Sequence, residues 1–285
     1  MRSWGLLLLL LWPAVVGATP VTGRVVEEET PLAGMIVSAY GNLDPSGTPV
    51  ARSTATAADG LFRLDLPAGN YGLYARSPGG DRFAFCGRNP VAVAAEPVWA
   101  GLQAVAVVPA GERRYDDEFS AAVEGRVVFE GKPLEGAYVS LYLDVADDLK
   151  GQGYRMSPPT GPDGSFAFDS LPESDYFLVA RKRSEGGRVG PVLEGDYLAL
   201  YPGNPLSAKS GRVTTVTLAA VRKVKESAAS ETFGRSGGPR LVGVVVDRAG
   251  KGVAGLHVFA YTDRVIGHQR PAALSPGTEP PACTT

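Results

Sequence analysis

One pattern occurs three times along this chain, and repetition at that scale dictates a string of small, similar folding units. The first copy opens Val21-Thr22-Gly23-Arg24-Val25-Val26. The second opens Val123-Glu124-Gly125-Arg126-Val127-Val128, and the third Leu241-Val242-Gly243-Val244-Val245-Val246. Each opening leads through a turn (Pro31-Leu32-Ala33-Gly34, Pro133-Leu134-Glu135-Gly136, Gly252-Val253-Ala254-Gly255) into a second apolar stretch, residues 35–40, 137–142 and 256–261. The turn glycine follows the strand glycine by 11 residues in the first two copies and by 12 in the third, a difference one loop residue absorbs.

The second stretch alternates with the period of a β-strand. One side carries Met35, Val37 and Ala39, then Ala137, Val139 and Leu141, then Leu256, Val258 and Ala260, and suits a core. The other side carries Ile36, Ser38 and Tyr40, then Tyr138, Ser140 and Tyr142, then His257, Phe259 and Tyr261, as a half-solvated strand would. Asp59-Gly60 and Asp163-Gly164 then introduce Phe62, Leu64 and Leu66 in one copy and Phe166 and Phe168 in the other. Asp-Gly is the signal of a tight hairpin. Tyr71-Gly72-Leu73-Tyr74-Ala75-Arg76 matches Tyr176-Phe177-Leu178-Val179-Ala180-Arg181, and Asn89-Pro90 matches Asn204-Pro205. No sustained helical period appears. The pattern predicts an all-β chain of tandem immunoglobulin-like antiparallel β-sandwiches. It divides into a signal peptide at 1–18, a module at 19–109, a linker at 110–121, a module at 122–221, a flexible linker at 222–240 and an incomplete third module at 241–285.

The order Gly-x-Val, Pro-Leu-x-Gly-Ala-x-Val, Asp-Gly-x-Phe and Tyr-x-Leu-x-Ala resembles the carboxypeptidase regulatory-like domain. In the second copy Gly125, Val127, Pro133, Leu134, Gly136, Ala137, Val139, Tyr142, Asp163, Gly164, Phe166, Tyr176, Leu178 and Ala180 all fit. The resemblance implies a transthyretin-like sandwich among folds grouped as carbohydrate-binding-like. It covers two full copies and the start of a third. The matching residues shape turns and cores, so they specify fold more than function. In the third copy Ser275-Pro276-Gly277-Thr278-Glu279-Pro280 parallels Ser157-Pro158-Pro159-Thr160-Gly161-Pro162, but no Asp-Gly follows. The expectation there is a chain truncated or frameshifted near Glu279, with a natural short, disordered tail as the alternative.

Arg2, the apolar run from Gly5 to Val16 and the small residues Gly17 and Ala18 form the pattern of a secretory leader, with cleavage expected between Ala18 and Thr19. The run is too short to span a bilayer, so no transmembrane anchor is expected. The chain is placed in the periplasm, at the cell surface or outside the cell. A formal net charge of −2 leaves no basic footprint for nucleic acid. Glycine (36) and proline (23) favour turns over helices. The two cysteines, Cys86 and Cys283, lie in different copies, and two unlinked thiols are the simpler expectation.

No catalytic residue, cofactor or metal is expected. A zinc peptidase needs His and Glu ligands at fixed spacing, whereas His257 and His268 are the only histidines and both fall in the incomplete copy. Without a histidine in the complete modules, serine has no base to activate it. Asp116, Asp117 and Glu118 read as solvated linker charge, and Asp144, Asp147 and Asp148 fit no calcium-binding loop spacing. The feature open to function is aromatic: Tyr40, Tyr138, Tyr142 and Tyr261 share one strand face, as a glycan or partner platform or as a packing surface. The leading reading is a non-catalytic exported structural or docking protein, with an envelope protein or polysaccharide as partner. The alternatives are a carbohydrate binder using that face, and an accessory part of a larger envelope enzyme or export system.

Overall fold

The computed structural model describes residues 17–150, 153–188, 192–223, 245–249, 251–253, 259–260 and 273–274. Among them there is no helix. The first module holds β1 (Thr19–Glu27), β2 (Thr30–Pro31), β3 (Ile36–Tyr40), β4 (Ala51–Ala55), β5 (Leu61–Leu66), β6 (Gly69–Arg76), β7 (Arg82–Cys86), β8 (Val91–Val93) and β9 (Val98–Ala106). They form one curled sheet in the order β2-β1-β9-β7-β6-β3-β4, with β5 also pairing β1 and β8 pairing β6. Curling brings β4 against β5 and closes a two-layer sandwich. Met35, Val37 and Ala39 are essentially fully buried inside it, with Phe62, Leu64 and Leu66 facing them from the other layer.

The second module repeats this plan with β11 (Ala121–Phe129), β12 (Lys132–Pro133), β13 (Tyr138–Tyr142), β14 (Arg155–Met156), β15 (Ser165–Leu171), β16 (Ser174–Lys182), β17 (Tyr197–Leu200), β18 (Leu206–Ala208) and β19 (Arg212–Arg222). Its core face, Ala137, Val139 and Leu141, is fully buried. Both modules are all-β sandwiches, and one feature departs from purely antiparallel pairing. First and last strands run parallel, Val21 to Val26 beside Val98 to Gln103 and Ala122 to Phe129 beside Val213 to Ala220. Gly23 and Gly125 make this possible: a Cβ at either would lie 1.8 Å from the Ala100 carbonyl oxygen or 2.0 Å from that of Val216.

Two expectations about connections change. Asp59-Gly60 and Asp163-Gly164 are not hairpin turns, because the strands before and after them pair with different partners in different layers. They are corners. Gly60 and Gly164 take positive φ (72° and 73°), and each carbonyl accepts a hydrogen bond from the opening strand, at Val25 N and Val127 N, both 2.9 Å. The segment read as a linker, residues 110–121, carries β10 (Gly111–Arg114), which pairs antiparallel with β19 and joins the sheet of the second module. Asp117 then ties the turn into β11, accepting from Phe119 N at 2.9 Å and Ser120 Oγ at 2.5 Å, and Glu118 pairs with Arg114 at 3.0 Å.

Thr19, expected to follow a cleavage point, opens β1 and donates its hydroxyl to the Ala94 carbonyl at 2.5 Å, while Ala18 is exposed. In the third copy Val246 bridges Gly252, and the strands Phe259–Ala260 and Ala273–Leu274 pair with Phe259 opposite Leu274. These pairs fall at the positions of Val128 with Pro133 and Ser140 with Met156 in the second module. The leader at 1–16, most of the 222–240 linker, Tyr261, His257, His268, Cys283 and the 275–285 tail lie outside the described residues. Among those described, no helix is long and apolar enough to cross a membrane, which says nothing about crossing by strands.

Candidate interaction face and adjoining cleft

In each module the strands behind the core face show a second side to their neighbours. On β6, five residues in succession, Tyr71 to Ala75, are buried, and on β16 the same holds for Tyr176 to Ala180. A strand buried on alternate residues has one covered face, while an unbroken run has two. The second cover is the other module. Tyr40, Tyr74, Phe83, Phe85 and Val105 of the first join Tyr142, Val179, Leu198, Leu200 and Val221 of the second in one apolar cluster. Strand register makes these equivalent residues of the two copies: Phe85 lies opposite Tyr74, Leu200 opposite Val179, Val105 opposite Phe83 and Val221 opposite Leu198. The two copies therefore meet through the same face.

Inside the cluster the rings interlock. Tyr40 meets Tyr74 edge-on at 5.9 Å, Tyr74 stacks on Phe83 at 5.8 Å and Phe83 lies 6.1 Å from Phe85. Burial pushes the Tyr74 hydroxyl far above its ordinary value, and that hydroxyl donates to the Leu43 carbonyl at 3.0 Å. Hydrogen bonds also cross between the modules at the rim: Arg76 Nη2 donates to the Pro202 carbonyl, and Gln103 Nε2 to that of Arg222 at 3.2 Å.

The four tyrosines singled out in the sequence thus have different fates. Tyr40 is 9% exposed and Tyr142 is 6%, so neither offers the open ring face that a half-solvated strand would give. The sequence pattern showed the alternation but not the apolar face arriving from the neighbouring copy. Arg181 stands over Tyr142, its guanidinium 5.9 Å from the ring centre and donating to the hydroxyl at 3.0 Å. Tyr138 is half-buried beneath the Arg188 guanidinium, 5.6 Å from its ring centre. Tyr261 lies outside the described residues.

Beside the interface, on the first module, a shallow cleft of about 190 Å³ is lined by Ile36, Ser38, Tyr40, Arg52, Tyr74 and Arg76, with Pro45 and Ser77 at its rim. Sequence reading named only Tyr40 as a site residue there. Arg76 matches Arg181 in the repeat, and that correspondence carried no hint of charge gathering, because Arg52 comes from a strand whose counterpart holds Met156. The Arg76 guanidinium stacks on Phe83 at 4.9 Å, and burial draws it below its ordinary value.

The other candidate groups resolve into structural roles. Asp144 accepts from Ala146 N at 3.0 Å and Asp148 pairs with Lys150 at 3.2 Å. No group of three or more His, Cys, Asp or Glu gathers at ion-binding distance among the described residues. Cys86 is 2% exposed in the first module's core.

No family model matches this chain, and no curated protein matches it significantly. Among solved structures it is similar to GBS52, the minor pilin of Streptococcus agalactiae, at 14% identity over 75% of this chain and 100% of that one, with a TM-score of 0.22. It is also similar to BcpA, the major pilin subunit of Bacillus cereus (9% identity, 72% and 99% covered, TM-score 0.24). A DUF3823 family protein from Parabacteroides merdae aligns at 13% identity over 69% of this chain and 98% of its own, with a TM-score of 0.21. At such scores the sandwich assignment rests on the strand pairing itself.

Proposed function

We propose that this chain is an exported, non-catalytic structural and docking protein built from carboxypeptidase regulatory-like repeats, acting at the cell surface or in the envelope against a protein or polysaccharide partner. The observation that carries this reading is the use of the shared aromatic face. An enzyme or a stacking lectin would keep its best chemical surface open. Here that surface fastens one sandwich to the next, making a two-module unit whose evident property is shape. The histidine inventory supports the same reading, since both histidines fall outside the complete modules. The leader-like N-terminus supports export.

Two measurements test it. Fractionation of cells expressing the full chain should place it outside the cytoplasm, and retention in the cytoplasm would refute export. Calorimetry should show the two complete modules unfolding in one transition. Val179→Asp, which puts an unpaired charge into the shared cluster, should split that transition in two. Two separate transitions in the unaltered protein would remove the basis for a fused unit.

A further inference from the structure

We propose that the cleft on the outer face of the first module binds the carboxylate of an acidic sugar residue, held between Arg52 and Arg76. The strand register brings the groups together. Ser38 on β3 lies opposite Arg52 on β4 and opposite Tyr74 on β6, and Arg76 lies opposite Ile36 one step along the same face. Neither arginine meets a carboxylate among the described residues. The nearby acids are engaged elsewhere: Asp81 accepts from Ser77 Oγ at 2.7 Å and pairs with Arg82 at 3.3 Å, and Asp44 accepts from Ser46 N at 2.9 Å. Arg76 is held in place by Phe83 beneath it and the Pro202 carbonyl on one nitrogen, with further donors of its fork uncommitted. A positioned guanidinium with free donors recognises a carboxylate in two-pronged fashion.

The repeat supplies an internal control. In the second module the counterpart of Arg52 is Met156, and the counterpart of Arg76, Arg181, is occupied by the Tyr142 hydroxyl and the carbonyl of buried Leu149. The fold therefore does not need two arginines at this place, and of the two complete modules only the first places a pair there. Hydroxyls decide the ligand class. Ser77 Oγ is engaged within the protein, donating to Asp81 at 2.7 Å and accepting from Arg82 N at 3.0 Å, whereas the hydroxyls of Ser38 and Tyr40 border the cleft. They suit a ring acid that carries its own hydroxyls. An extended acidic peptide would gain ladder hydrogen bonds only along the free edge of β4, not on the face where the cleft lies.

The test is a calorimetric titration of the full chain with tri-galacturonate, maltotriose and tri-glutamate at low ionic strength. Tri-galacturonate should bind, maltotriose should not, and added salt should weaken the binding. Arg52→Met, which installs the residue the second module already carries, should weaken it about tenfold or more while the melting profile stays unchanged, and Arg52→Lys should recover part of the loss. Absence of tri-galacturonate binding, full binding by Arg52→Met, or equal or tighter binding of tri-glutamate would overturn the proposal. None of these results bears on the fused two-module unit, which calorimetric unfolding tests separately.

Discussion

Asn89 and Asn204 each sit between two strands that pair with the same neighbour, and each closes a two-pronged ring on that neighbour. Asn89 accepts from Leu73 N at 2.9 Å and donates to the Leu73 carbonyl at 3.0 Å, and Asn204 does the same with Leu178 at 2.8 and 3.0 Å. Thr56 and Thr160 act alike: Thr160 Oγ1 accepts from Ala137 N at 2.9 Å and donates to the Leu134 carbonyl at 2.6 Å. Each satisfies a backbone pair that the ladder leaves open. In the sequence these residues were visible as repeated letters without roles, because their partners are not local. Asp196 is a buried carboxylate through which acid acts on stability. It is 4% exposed; burial pulls its carboxyl upward, but hydrogen bonds from Ser184 N, Leu193 N and Ser184 Oγ outweigh that and hold it below the ordinary carboxylate value. A lowered value in the folded state means its stabilisation is complete above the ordinary range near pH 4 and is lost as pH falls through the lowered value. Asp196→Asn should cost about 2 kcal/mol at pH 7 and clearly less at pH 3, measured by urea unfolding at both pH values.

Among the elements, the strands that alternate cleanly were legible in the sequence. β3, β5 and β13 lie close to where their period places them, with their predicted core residues inside. What the pattern lacked was pairing. The Asp-Gly signal marks a turn, but whether the chain returns beside its own strand or crosses to the other layer depends on long-range partners. β10 was invisible for a related reason: Gly111-Glu112-Arg113-Arg114 is wholly exposed and has no apolar period, so only the open edge of β19 makes it a strand. Its hold is the backbone ladder. The ion pair of Arg113 with Glu124, at 2.8 Å, joins two groups that keep 58% and 36% of their side-chain surface in water. Arg113→Ala should therefore leave the denaturant-unfolding midpoint almost unchanged, and a clear loss would show that the side chain rather than the ladder secures the strand.

At the scale of the whole molecule, the repetition of a strand-rich pattern is legible in the sequence, while the junction between the copies is not. Tyr176-Phe177-Leu178-Val179-Ala180 has no alternation to lose, and such a run signals cover on both sides without saying what the cover is. The cover proved to be the neighbouring copy.

The parallel pairing of first and last strands also decides how the molecule answers to tension. When the chain is stretched from its two ends, β1 is drawn toward its start and β9 toward its finish, so every bond between them must give way together instead of opening one at a time. β10, running the other way along β19, meets the same tug as a zip. Single-molecule stretching between Thr19 and Lys223 should show a weak early release from β10, followed by abrupt, high-force ruptures of the two sandwiches. A smooth extension at low force would mean that the parallel ladders do not act as mechanical clasps.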